Sequence, residues 1–90
     1  MSQKIHLEAN DCRILNMLYE HSTEWVYVSE LQNVLEPPKA RNSVAISERI
    51  TALEAKGYVE VRYKTPPLTA INYDFYAKIK PAGIAALKQY

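Results

Sequence analysis

Glycine is nearly missing from this chain: Gly57 and Gly83 are the only two in 90 residues. No glycine-rich phosphate loop can be built from them, which excludes the common nucleotide-cradling motifs. The one cysteine, Cys12, allows neither an internal disulfide nor a Cys-x-x-Cys redox or zinc pair. The two histidines, His6 and His21, stand in separate contexts with no nucleophile beside either. Catalysis therefore finds no support. His6, Glu8 and Cys12 form the only remote metal set, fewer ligands than a metal sensor needs. Neither a metal nor a cofactor is expected. No apolar run approaches the roughly 20 residues of a membrane-spanning helix. No leader-like segment is evident at the start, so a cytoplasmic protein is expected.

What is present is the composition of a folding chain. Hydrophobic residues make up 48% and charged residues 23%, which places the sequence among globular rather than disordered chains. Its length suits one small domain over residues 1–90. The formal net charge of +1 hides a segregation. Residues 1–36 carry two basic against six acidic groups, a balance of −4. Residues 37–90 carry nine basic against four acidic groups, a balance of +5. A segregated charge can make a positive field on one side of a nearly neutral molecule.

The stretch from Ser43 to Tyr63 is the most legible. Ile46, Ile50 and Leu53 fall at i, i+4 and i+7, one face of a helical period. Gly57 follows where a left-handed cap is expected, because only glycine reaches positive φ without a steric cost. Tyr58, Val59, Val61 and Tyr63 then supply strand formers, set against Glu60, Arg62 and Lys64. Upstream, a first helix is expected from about Asn10 to His21. Asn10 is its expected N-cap, and Ile14, Leu15 and Leu18 form its apolar stripe. Trp25–Val28 reads as a short strand, with Trp25 in the core. Ser29 should cap a second helix, with Gln32 completing a capping box and Leu31, Val34 and Leu35 buried. Pro37-Pro38 ends it. Pro37–Asn42 is expected to be a loop, and Asn42 or Ser43 the cap of the third helix. A hairpin tip around Thr65–Ala70 leads to a return strand from about Ile71 to Lys80. Pro81 opens a last short helix over Ala82–Tyr90, with Ile84, Leu87 and Tyr90 on one side. The fold class is α+β, mostly α.

Helix, short strand, helix, helix and two-stranded wing is the order of winged helix-turn-helix transcription regulators. Three pieces resemble the DNA-binding core of the MarR-like family. They are LEANDCRILNML, ISERITALEAKGYVEV and KIKPAGIAAL, together spanning about Leu7 to Leu87. The resemblance implies a three-helix core, a two- to three-stranded β-wing and a short C-terminal helix. It also implies that the third helix, about 43–56, enters the major groove, with the 58–80 hairpin as wing. Small regulators of phages, plasmids and mobile elements have this size. The chain departs from the family in three places. The long dimerisation helices are absent, the tip TPPLTAIN lacks the Asp-x-Arg pattern, and EPPKARN lengthens the turn before the third helix.

On that outline the base-contact candidates are Ser47, Glu48, Arg49 and Thr51. Arg49 suits guanine, Glu48 suits cytosine, and the two hydroxyls suit either base or phosphate. Small Val44, Ala45 and Ala52 would allow close approach. Lys39, Arg41, Asn42, Ser43, Arg62, Lys64 and Lys78, with Lys80, are candidates for phosphate contacts, which give affinity without sequence choice. Leu15, Tyr19, Ile84, Leu87 and Tyr90 are candidates for a homodimer interface. The seven tyrosines are expected to pack rather than to stack on unpaired bases. The function expected is sequence-specific binding of double-stranded DNA by a small transcription regulator, a repressor acting as a homodimer. The alternative is a winged-helix protein-interaction module, which Glu48 on the presumed DNA face would suit.

Overall fold

The computed structural model describes residues 7–63 and 74–89. Four α-helices and three strands follow in the order α1 (Ala9–Glu20), β1 (Val26–Tyr27), α2 (Val28–Gln32), α3 (Ser43–Ala55), β2 (Val59–Tyr63), β3 (Phe75–Ile79) and α4 (Pro81–Gln89). A short 3-10 turn, Pro38–Ala40, lies between α2 and α3, in the segment expected to be a plain loop. The strands form one antiparallel sheet in the order β1-β3-β2. This is an α+β, mostly helical arrangement with a winged-helix-like topology.

The apolar stripes do what their spacing requires. Ile14, Leu15 and Leu18 of α1 are fully buried, as is Leu31 of α2, and Ile46, Ile50 and Leu53 of α3 are nearly so. The sheet closes this core with alternate residues. Val26, Val59, Phe75, Ala77 and Ile79 point inward and are buried. Glu60, Arg62, Tyr76 and Lys78 alternate with them and face outward.

The end of α3 is a Schellman motif. The Gly57 N–H donates to the Glu54 carbonyl at 2.9 Å and the Tyr58 N–H to the Leu53 carbonyl at 3.1 Å. Gly57 itself has φ +79, the left-handed value this closure needs. Asn42 caps the other end, its side chain accepting from the Ala45 N–H at 2.8 Å.

Five expectations are corrected. The N-cap of α1 is Glu8, not Asn10, and Glu8 and Asp11 form a reciprocal capping box. Asn10 instead ties α1 to the chain after α2. Its Nδ2 donates to the Glu36 carbonyl at 2.9 Å, and its Oδ1 accepts from the Glu36 N–H at 3.0 Å. Helix α2 starts at Val28 straight from the strand, with Tyr27 at the cap position and no side-chain cap. The reason is burial: Val28 is 5% exposed, so it sits in the first turn while Ser29 faces solvent. Gln32 closes no capping box, and its amide donates to the Arg41 carbonyl at 3.3 Å. The helix is short, so Val34 and Leu35 lie beyond its end, where Leu35 is still fully buried. Trp25 is not a core residue. Val26 points inward opposite Ala77, so its neighbour Trp25 takes the outer face and is half-buried there. The return strand begins, among the described residues, at Phe75. Its expected first residues, Ile71–Tyr73, lie outside them.

Gly83 permits a close backbone approach between α4 and the start of β2. A Cβ there would lie 2.2 Å from the Tyr58 carbonyl oxygen. The adjacent Lys80 N–H donates to that same oxygen at 2.9 Å. The small residue lets the start of α4 rest on the strand entrance.

Candidate nucleic-acid interface

Helix α3 buries one face on α2 and β2 and leaves the other open. The open face carries Val44, 49% exposed, with Glu48, Thr51, Ala52 and Ala55 also exposed and Ala45 and Ser47 half-buried. Small side chains at these positions allow another surface to approach the helix backbone closely. The face has little charge of its own, since Glu48 opposes Lys56 at the last turn.

Arg49 is not free on this face. Its Nη1 donates to Glu8 Oε2 at 2.8 Å and to Asp11 Oδ1 at 3.0 Å. These bonds, that to Glu8 first, raise the guanidinium pKa further above its ordinary value. Asp11 is the buried charged residue of the described core at 8% exposure, and Arg49 supplies its ion pair. Among the four base-contact candidates, Arg49 thus has structural partners, whereas Glu48 and Thr51 face solvent and Ser47 stands at the edge. A groove of about 330 Å³ runs along this junction, lined by Glu8, Asp11, Ala45, Glu48, Arg49, Ala52 and Lys56. Its three carboxylates were not legible as a group, because they come from two helices.

The phosphate-contact candidates divide similarly. Arg41 is engaged: its Nε donates to the Leu35 carbonyl at 2.7 Å, and its Nη2 pairs with Glu36 Oε1 at 2.7 Å. Asn42 is spent on the cap of α3. Lys39 is exposed in the turn before α3. The Ser43 side chain, Lys64 and Tyr90 lie outside the described residues.

The register brings the wing cations together. Arg62 pairs opposite Tyr76, and Lys78 opposite Glu60, so both cations rise from the outer sheet face. The Arg62 guanidinium lies 5.3 Å and the Lys78 ammonium 5.9 Å from the centroid of the Trp25 ring. Tyr27 and Tyr76 continue the surface with ring centroids 5.1 Å apart. The Tyr27 hydroxyl donates to Asp74 Oδ1 at 2.5 Å. That hydrogen bond, followed by desolvation and the carboxylate charge, raises the Tyr27 pKa.

The dimer candidates fare unequally. Leu15 is fully buried in the chain's own core and has no surface left for a second copy. Ile84 and Leu87 are partly buried against the same core, where α4 packs on α1. Tyr19 remains 45% exposed.

No family model, no curated protein and no solved structure matches this chain. The likeness to winged-helix domains therefore rests on topology. Among the described residues no group of His, Cys, Asp and Glu could hold a metal ion. No described helix is long and apolar enough to cross a membrane.

Proposed function

We propose that this chain binds double-stranded DNA as a small, cytoplasmic, MarR-like transcription regulator, with α3 in the major groove and the β2–β3 hairpin as wing. The observation that carries the reading is the open face of α3. It is a 13-residue helix anchored by its core stripe, an Asn42 cap and a glycine closure, with small and hydroxyl-bearing residues outward. Ser47, Glu48 and Thr51 are the base-edge contacts in this reading, and Val44 and Ala52 meet thymine methyls. Lys39 before the helix, with Arg62 and Lys78 on the wing, supply phosphate contacts. The regulator acts as a homodimer and represses by occluding its operator.

The protein-docking alternative has its own support. Glu8, Asp11 and Glu48 line the groove beside α3, and Arg49 is neutralised there. A face so balanced attracts phosphate weakly. An electrophoretic shift on random duplex DNA at low salt separates the two readings. DNA binding predicts a retarded band that vanishes as salt rises. No shift at any salt removes duplex DNA as the partner.

A further inference from the structure

The outer face of the sheet carries an aromatic ring, Trp25, that the duplex reading leaves unused, beside two cations which that reading assigns to phosphate. Trp25 stands at the entrance of β1, half-buried, with Arg62 and Lys78 both within 6 Å of its ring centroid. An open cavity of about 250 Å³ lies there, lined by Trp25, Arg62 and Tyr76. The helices pack on the opposite side of the sheet, so this surface faces away from the core. Among the described residues no carboxylate forms an ion pair with Arg62 or Lys78. Asp74, the acid just before β3, is held by the Tyr27 hydroxyl.

We propose that this face binds single-stranded DNA, one unpaired base stacking on Trp25 with its flanking phosphates on Arg62 and Lys78. An indole ring with two cations beside it is complementary to a nucleotide: the ring takes the π-face of the base, and the cations take the charge. In the free protein both cations rest over the indole. A phosphate draws them outward and uncovers the ring, while the guanidinium plane of Arg62 can itself stack on the next base. Tyr76 closes the side of the cavity against the same base. The choice of DNA over RNA rests on the duplex reading above, and the surface argument stands without it. A strand parted from a duplex held by α3 would be the local source.

Trp25 is the only tryptophan in the chain, so its fluorescence reports this surface alone. Titration of the full chain with oligo-dT at low salt is expected to quench that emission saturably. Polyphosphate of equal charge, which has no bases, should not. In fluorescence anisotropy with labelled oligo-dT, Trp25→Leu should weaken binding between about fivefold and a hundredfold, the range for one stacked base, while Trp25→Phe loses less. Thr51→Glu with Ala52→Glu on α3 should leave oligo-dT binding intact while abolishing any duplex shift, so failure of one site does not mimic failure of the other. Absence of quenching by oligo-dT overturns the proposal. So does equal quenching by polyphosphate, or unchanged affinity in a folded Trp25→Leu protein. Tighter binding of oligo-U than oligo-dT overturns the assignment to DNA. If Trp25→Leu does not fold, the wild-type titrations decide alone.

Discussion

Arg49 on α3 and Asp11 on α1 are joined across the helix interface, Nη1 to Oδ1 at 3.0 Å. The pair sits where α1 begins, so it also orients the capping box that Asp11 forms with Glu8. Arg49→Ala would leave a largely buried carboxylate with only its backbone partner. The expected loss is about 1–3 kcal/mol of stability by urea unfolding, below the figure for a fully buried pair because Arg49 is partly solvated. The companion contact to Glu8, 63% exposed, should matter less: Glu8→Gln costs roughly 0–1 kcal/mol. An Arg49→Ala protein as stable as wild type would show that the ion pair contributes nothing net to the fold.

The two glycines should fail for different reasons. Gly83→Ala drives a methyl group to within 2.2 Å of the Tyr58 carbonyl, so α4 must shift off the strand entrance. Overpacking of that kind costs typically about 1–3 kcal/mol. At Gly57 a Cβ meets nothing within 4 Å, and the penalty comes from φ +79 alone. Gly57→Ala is expected to cost roughly 1–2 kcal/mol, and Gly57→Asn less, since asparagine tolerates the left-handed region. Equal losses for Ala and Asn at Gly57 would argue against a purely conformational cause.

Tyr27 gives a signal at alkaline pH. Its phenol is held protonated by Asp74, so its folded pKa is raised. A raised pKa means that the hydrogen bond stabilises the fold fully below the ordinary tyrosine value near 10. The contribution is lost as pH rises through the higher folded value. The stability gap between wild type and Tyr27→Phe should therefore be constant from neutrality to about pH 10 and shrink above it. Denaturant midpoints of the two proteins across that range test this. A gap that widens with pH would contradict the assignment.

These positions show what the sequence could and could not reveal. The core of α3 and its closure were legible because each rests on local chemistry: period, cap and glycine. The first helix was placed correctly in bulk, but its cap was misread. Asparagine is the better generic N-cap, yet Glu8 with Asp11 three residues on closes a reciprocal pair, leaving Asn10 to hold Glu36. Trp25 was misread because aromatic size suggests burial, whereas strand parity with Val26 decides its side. The Arg49–Asp11 pair and the cluster around Trp25 join residues 37 and more apart in sequence. No local pattern carries such contacts; they depend on helix packing and strand register.

Duplex binding should separate affinity from sequence choice. Lys39→Ala should weaken all duplexes alike and reduce the salt slope by about one unit for one lost phosphate contact. Thr51→Ala should instead relax preference at one base pair, by roughly 1–3 kcal/mol for a good contact, with little change in slope. Both side chains are exposed, so neither change should move the melting temperature. Binding-site selection with each variant checks the distinction. Identical selected sites for Thr51→Ala and wild type would remove Thr51 from the readers.

Self-association must use what the core leaves outside. Leu15 is spent on the interior and Leu87 packs against it, so a dimer patch on this side narrows to Tyr19 and the outer edge of α4. Leu87→Glu is expected to destabilise the domain itself, because it puts a carboxylate against the core without a partner. Tyr19→Glu should leave the fold intact, since that side chain is 45% exposed. If two copies meet along this edge, Tyr19→Glu gives a folded monomer with weakened operator binding. The reason is that two recognition helices about one DNA turn apart are needed to read a palindrome. Sedimentation and circular dichroism on wild type and both variants separate these outcomes. A wild-type chain that stays monomeric at high micromolar concentration, alone and with duplex, defeats the dimer.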